Sequence, residues 1–178
     1  MTLAFIVSRP QFIVMKTDNK SGSNHSEALD LKIPPALLML LFFLIMWLTA
    51  NSLPDLAFLT LEKKLLMRVI GAFGILLICS GMVSFRMTQT TVDPTQPENA
   101  STLVQTGIYR LTRNPMYAGF FVILVAWAVG LSHAFPWLFL PLFVMYMNRF
   151  QIKPEEQALL KLFGSEYKNY CQKVRRWI

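Results

Sequence analysis

The chain is poor in the residues from which metal and redox sites are built, with two cysteines and two histidines among 178 residues. Cys79 lies inside an apolar run and Cys171 lies in a basic tail, so their positions indicate neither a metal site nor a disulfide bond. His133 stands between two apolar runs, and we interpret it as a turn residue. We therefore predict no metal site and give neither cysteine a role.

Charge is also scarce. Charged residues make up 15% of the chain and hydrophobic residues 54%, and the mean hydropathy is +0.43. A soluble domain has about 25% charged residues, so this composition predicts a membrane protein. The net charge of +7 does not indicate a nucleic-acid partner, because the basic residues lie beside apolar runs and no aromatic-interleaved RNA motif accompanies them.

A recognisable export signal is missing from the N-terminus. Residues 1–14 are too short to span a bilayer, are interrupted by Arg9 and Pro10, and lack a small-residue cleavage site. We leave them unassigned, and a natural start at Met15 is an alternative. Residues 1–32 are expected to form a polar or poorly ordered N-terminal segment.

Four apolar runs follow, and they predict an all-α integral membrane protein with four transmembrane helices in a single domain. The runs are Ala36 to about Leu53, Arg68 to about Met87, Pro115–Leu131 and Phe135–Phe150. Only residues 132–134 separate the last two, which predicts a tight antiparallel hairpin. Pro141 falls inside the fourth run and predicts a kink there.

The second run is expected to be the packing helix, because small side chains let a neighbouring helix approach closely. Its small residues are Gly71, Gly74, Ser80, Gly81 and Ser84.

Positive charge predicts the orientation. With four spans, the N-terminal segment, the connection 88–114 and the tail 153–178 share one side, and that side holds all the Lys and Arg residues except Lys63, Lys64 and Arg68. We expect it to be cytoplasmic, in a bacterial inner membrane rather than the endoplasmic reticulum. The sequons at Asn24 and Asn99 then face the cytoplasm and are expected to stay unmodified.

The two cytoplasmic segments differ in character. The connection 88–114 is long, polar and rich in threonine and proline, which favours a lid or ligand-binding segment, with a solvated linker as the alternative. In the tail, Pro154 predicts a helix start and Gly164 its stop. A second short helix is predicted to follow at the membrane interface, with an apolar face formed by Tyr167, Tyr170, Cys171, Val174 and Trp177.

The motif "TGIYRLTRNPMYAG", followed after 35 residues by "EE", resembles the signature of the isoprenylcysteine carboxyl methyltransferase and phospholipid methyltransferase superfamily. The resemblance extends from about Arg86 through "TTVDP", "PEEQALLKLFGSEYKNY" and the closing "VRRW". It implies an integral-membrane enzyme that uses S-adenosylmethionine and releases S-adenosylhomocysteine. One departure is Asn114, where eukaryotic members usually have histidine. Asparagine keeps a hydrogen-bonding group but cannot titrate near neutral pH.

The resemblance also implies a site. Arg113 can bind a carboxylate through two parallel hydrogen bonds. The alternative interpretation is that Arg113 is a snorkelling cation at a helix end. Glu155 and Glu156 on their own suit a helix start, and the resemblance assigns them to the cofactor and active site instead. The candidate catalytic residues are thus Arg113, Glu155 and Glu156. The candidate cofactor-binding residues are Thr91, Gly107, Tyr109, Arg110, Asn114, Pro115, Tyr117, Gly119, Tyr167 and Tyr170.

The acceptor stays open at this point. A prenylated cysteine carboxylate, a phospholipid amine and a small lipophilic thiol or acid all fit a pocket open to lipid, and membrane lipids are the expected surroundings. Two alternatives to a methyltransferase are an NADPH-dependent membrane reductase similar to sterol reductases, which are much longer, and a non-catalytic membrane scaffold.

Overall fold

The computed structural model describes residues 33–53, 63–87 and 102–177. Within these ranges the chain is helical and has no β-strand, as the sequence predicts. The α-helices are α1 (Pro35–Ser52), α2 (Lys63–Met87), α3 (Pro115–Leu131), α4 (Phe139–Tyr146) and α5 (Lys153–Lys173). Short 3₁₀ turns at Gly107–Arg110 and Phe135–Leu138 precede α3 and α4, and a π-helical turn at Met147–Ile152 joins α4 to α5.

Two of these helices, α1 and α2, are long and apolar enough to cross a membrane. Their 18 and 25 residues correspond to about 27 Å and about 37 Å of helix at 1.5 Å per residue. Large apolar side chains on both are exposed, such as Leu40 and Leu44 on α1 and Phe73 and Leu76 on α2. α3 is apolar but shorter, with 17 residues. The chain thus has the features of a membrane protein, while the number of four spans stays a prediction.

Helix α2 packs against α3 through two glycines that face each other. A Cβ atom added to Gly119 would lie 2.7 Å from the carbonyl oxygen of Gly74, and one added to Gly74 would lie 2.9 Å from the carbonyl oxygen of Gly119. Contacts this short are sterically excluded, so the two backbones approach closely only because both side chains are missing. α2 is therefore a packing helix, as its small residues predict.

The apolar core lies where α1, α3, α4 and the π-helical turn meet. Its largest fully buried side chains are Met46 of α1, Leu124 of α3, Phe143 of α4, and Met147 and Ile152 of the π-helical turn. Phe42 of α1 packs edge-on against Phe143, with the ring centroids 5.4 Å apart. Burial of these side chains fixes the end of α4, and hence the start of α5, against α3.

The fourth apolar run departs from the prediction of one helix over Phe135–Phe150. A 3₁₀ turn occupies Phe135–Leu138, and regular α-helix begins only at Phe139. Pro141 therefore lies in the first turn of α4 and does not kink the middle of a span, because an amide hydrogen is not needed at that position. At the other end, the run widens into the π-helical turn and continues into the tail without a break.

The tail helix begins and breaks near the predicted residues. Pro154 lies in the first turn of α5, and Gly164 has φ 50° and ψ −117°, which interrupts the helix there. The second part ends at Lys173, where the prediction of a helix reaching Trp177 is wrong: Val174 has extended φ and ψ angles. Tyr167, Tyr170 and Val174 are buried together, so this face packs against the protein.

Candidate active site

Arg113 and Glu156, which are distant in the sequence, form an ion pair. The Nη2 atom of Arg113 lies 3.1 Å from Oε1 of Glu156, and 14% and 18% of the two side-chain areas are exposed. Arg113 immediately precedes Asn114, the cap of α3, and Glu156 lies in the first turn of α5. Because α5 continues from the π-helical turn, Glu156 does not cap an open helix end. The structure thus brings two of the candidate catalytic residues, Arg113 and Glu156, together at the start of α3. Their catalytic roles stay a prediction.

Glu155 has a different partner from its neighbour. The Tyr117 hydroxyl donates a hydrogen bond to Oε2 of Glu155 at 3.1 Å, and Nε2 of Gln151 donates to the same hydroxyl at 3.4 Å. Among the described residues, no Lys or Arg forms an ion pair with Glu155. Adjacent carboxyl groups thus have contrasting surroundings, one neutralised by arginine and one bound to a phenol.

Burial sets the protonation of Glu155. Removal from water raises the pKa of this carboxyl to about 8, and the negative charge of Glu156 acts in the same direction. The hydrogen bond from Tyr117 opposes the rise, because a donor stabilises the ionised form. A carboxyl with such a pKa exchanges its proton near neutral pH, which is the property required of a general acid or base.

Three buried tyrosines lie near these charges: Tyr167 and Tyr170 near Arg113, and Tyr109 near Glu155. The Tyr170 hydroxyl donates to the carbonyl oxygen of Tyr109 at 2.7 Å, and Tyr167 packs against Tyr170 with ring centroids 6.2 Å apart. Burial raises the pKa of all three hydroxyls; Glu156 adds to the rise at Tyr167, whereas Arg113 opposes it at Tyr167 and Tyr170. The tyrosines therefore stay neutral and supply apolar walls next to the charged pair.

Asn114 has a structural contact of its own. Its Nδ2 atom donates to the carbonyl oxygen of Arg176 at 2.9 Å, and its backbone N–H donates to the Thr112 hydroxyl at 3.2 Å. The side chain makes no capping bond to α3. Asn114 therefore links the start of α3 to the segment that follows α5.

The remaining predicted site residues lie at the edge of this group or away from it. Gly119 contacts α2, and Gly107, with φ 59°, faces the hydroxyl of Ser84, so helix packing accounts for both. Pro115 is buried at the start of α3, and Arg110 is exposed. Thr91 lies outside the described residues, as do the two sequons and the N-terminal segment.

Two contributors were not predicted as site residues. Arg176 binds Glu156 through two hydrogen bonds, Nε to Oε1 at 3.0 Å and Nη2 to Oε2 at 2.6 Å. Gln151 contacts Tyr117 from the π-helical turn. The closing "VRRW" was a signal for Arg176, but the tail periodicity placed both arginines on the polar face of a helix. Gln151 follows the fourth apolar run directly, and only its burial in the structure marks it as part of a polar site.

Sequence comparisons relate the chain to known proteins. The family model for phospholipid methyltransferase matches residues 63–166, more than half of the chain. An uncharacterized protein of Haemophilus influenzae is 44% identical over 63 residues, which is 35% of this chain and all of that protein. Protein-S-isoprenylcysteine O-methyltransferase of Saccharomyces cerevisiae is 36% identical over 85 residues, covering 45% of this chain and 34% of the yeast protein.

A third relative has a different activity. The delta(14)-sterol reductase of Mus musculus is 30% identical over 74 residues, covering 40% of this chain and 18% of the mouse protein. The chain thus spans about a third of the yeast relative's length and less of the mouse relative's. No solved structure gives a significant match. The extent of the family match shows that this membrane-type chain belongs to the phospholipid methyltransferase family.

Proposed function

We propose that the protein is an S-adenosylmethionine-dependent membrane methyltransferase that acts on a lipophilic or amphipathic acceptor. The observation that carries the proposal is the ion pair between Arg113 and Glu156, next to a second buried carboxyl, Glu155, that is bound by the Tyr117 hydroxyl. Family membership and the yeast relative, an O-methyltransferase, support methyl transfer.

The chemistry of these residues suits the two charges of the donor's amino-acid end. The Nε atom of Arg113 is buried and has no hydrogen-bond partner within the described residues, so its N–H is available to a carboxylate. Glu156 is already occupied by two arginines. Glu155, with Tyr117 as its partner, is the carboxyl left to face an ammonium group.

S-adenosylmethionine, when bound, supplies a methyl group activated on a sulfonium, and in-line transfer then requires only alignment in a site shielded from water. In this assignment Arg113 holds the carboxylate end, and the walls of Tyr109, Tyr167 and Tyr170 exclude water. Glu155 either binds the ammonium group or accepts a proton from the acceptor. An amine or thiol acceptor needs such a base, whereas a carboxylate acceptor does not.

The proposed topology places this site at the cytoplasmic surface of a bacterial inner membrane, with four spans and both termini inside. Two apolar helices that are long enough to span, together with the positive charge of the connection and tail, support this arrangement. The acceptor would enter from lipid. Isoprenylcysteine carboxylates, phospholipid amines and small lipophilic thiols or acids remain candidate classes.

A reductase is the second candidate, because the mouse relative is a sterol reductase. A non-catalytic scaffold is the third. Purified protein in nanodiscs should show a higher thermal unfolding temperature with S-adenosylhomocysteine and no change with NADPH. The opposite result would support the reductase, and no change with either ligand would support the scaffold.

Transfer of a labelled methyl group from S-adenosylmethionine to lipid and small-molecule extracts then identifies the acceptor. Arg113→Ala should abolish stabilisation by S-adenosylhomocysteine while the protein stays folded. Arg86→Ala is the matched control, because this exposed arginine in the last turn of α2 is not a site candidate, and its loss removes the same charge.

A further inference from the structure

The segment 174–177, named here the C-terminal strap, follows α5 and lies along the motif that contains Arg113. The backbone N–H of Arg113 donates to the carbonyl oxygen of Arg175 at 2.9 Å. The hydroxyl of Thr112 and the amide of Asn114 both donate to the carbonyl oxygen of Arg176, at 3.2 Å and 2.9 Å. The strap thus fixes the backbone of residues 112–114.

The side chain of Arg176 fixes the other half of the ion pair. Its Nε and Nη2 atoms bind the two oxygens of Glu156 in parallel, at 3.0 Å and 2.6 Å, which is the bidentate geometry of a guanidinium on a carboxylate. One short segment therefore holds Arg113 by its backbone and Glu156 by a side chain.

We propose that Arg176 is a positioning residue of the donor site, which keeps Arg113 available for an anionic ligand group. The inference rests on the proposed function, because the ligand group it concerns is the donor's carboxylate. Arg176 does not need to touch the ligand; it acts through Glu156.

Competition for Glu156 is the physical reason. With Arg176 in place, Arg113 shares a single oxygen of Glu156 through Nη2, and its buried Nε has no partner among the described residues. Without Arg176, both oxygens of Glu156 are open to the nearest guanidinium. Arg113 would then turn Nε as well as Nη2 towards Glu156, because a buried donor gains by pairing. Its free N–H would be lost to the ligand.

Local charge acts in the same direction. Two guanidinium groups share the single carboxylate of Glu156, so this trio carries a net positive charge. Removal of Arg176 leaves Arg113 and Glu156 as a neutral pair, which attracts an anion less. Lysine at this position would retain the charge but would lack the fork that binds both oxygens.

Binding of two nucleosides distinguishes this positioning role from a purely structural role of Arg176. S-adenosylhomocysteine has the amino-acid end, whereas 5′-methylthioadenosine has the same adenosine and sulfur without it. In nanodiscs, Arg176→Gln should lower the affinity for S-adenosylhomocysteine about tenfold, while the affinity for 5′-methylthioadenosine stays unchanged. Arg175→Gln is the matched control, because its exposed side chain lies on the same strap, and it should bind both nucleosides as the wild type does.

Arg176→Lys should give an intermediate loss, and it carries the test if the glutamine variant does not fold. Equal affinity of the Arg176 variants and the wild type for S-adenosylhomocysteine would overturn the positioning role and leave the proposed function standing. An equal loss for both nucleosides would reduce Arg176 to a structural residue, and tighter binding would make it a competitor of the ligand. Failure of the wild-type protein to bind S-adenosylhomocysteine would overturn the proposed function itself.

Discussion

The hydroxyl of Tyr117 lies 3.1 Å from Oε2 of Glu155 and joins the first turn of α3 to the first turn of α5. Proline is the first residue of α3 and the second residue of α5, and both positions are common sites for proline in helices. The contact connects an apolar helix to the tail, and the protonation of Glu155 is therefore linked to the stability of this junction.

The first prediction concerns the pH dependence of stability. Because burial raises the pKa of Glu155 from 4.5 to about 8, the folded protein binds a proton that the unfolded chain releases between these values. The free energy of unfolding should therefore fall as pH rises through this window. Glu155→Gln should flatten this part of the profile when thermal unfolding is measured from about pH 5 to about pH 9. Identical slopes in both proteins would contradict it.

The second prediction isolates the phenol. Tyr117→Phe removes the hydrogen bond that lowers the pKa of Glu155, so the pH-dependent fall in the free energy of unfolding should extend to higher pH. The lost hydrogen bond should also lower the free energy of unfolding by about 1 kcal/mol. Tyr146→Phe is the control, because the buried Tyr146 hydroxyl has no hydrogen-bond partner among the described residues and its removal should cost nothing. The same pH series measures both variants, and equal losses from the two would rule out a special role for Tyr117.

The third prediction tests the contact between α2 and α3. Gly119→Ala would place a Cβ atom 2.6 Å from Cγ1 of Ile78 and 2.7 Å from a backbone oxygen, and should destabilise the protein by about 1–3 kcal/mol. Gly71→Ala is the matched control, since its nearest neighbour would be Ala126 at 3.8 Å. Thermal unfolding in one detergent compares the two. A stable Gly119→Ala variant would show that the helices separate more easily than this packing implies.

The fourth prediction concerns Asn114. Its amide donates to the carbonyl oxygen of Arg176, so Asn114→Asp replaces a donor with an acceptor and should loosen the C-terminal strap. Histidine retains an N–H donor and should be tolerated. Faster hydrogen exchange at residues 174–177 in the aspartate variant alone is the expected result. Equal exchange in both variants would show that this amide does not hold the strap.

The helices that follow local rules were predictable. Proline at the first position and an unbroken apolar run gave α3 its bounds, Pro115–Leu131, and Gly164 marks the break in the tail because it adopts a positive φ. The family resemblance pointed to Arg113 and Glu156 as site residues, and the structure joins them in an ion pair. Spacing alone favoured a helix start for the glutamates.

The strap was not predictable from periodicity. Val174 and Trp177 continue the helical spacing of Tyr167 and Tyr170, yet the helix ends at Lys173. The carbonyl oxygens of Arg175 and Arg176 accept hydrogen bonds from residues 112–114, which are far away in the sequence. Hydrogen bonds between residues so far apart override the local preference for helix, and the local sequence carries no pattern that predicts them.

The π-helical turn at Met147–Ile152 determines which way the two glutamates point. Its wider bonding accommodates one more residue than an α-helical turn, and each residue of an α-helix advances the direction of its side chain by about 100°. Deleting one residue here would restore regular winding and rotate Glu155 and Glu156 away from Tyr117 and Arg113 together. Sequence length between Phe143 and Pro154 is therefore as much a requirement of the site as the identity of its carboxyl groups.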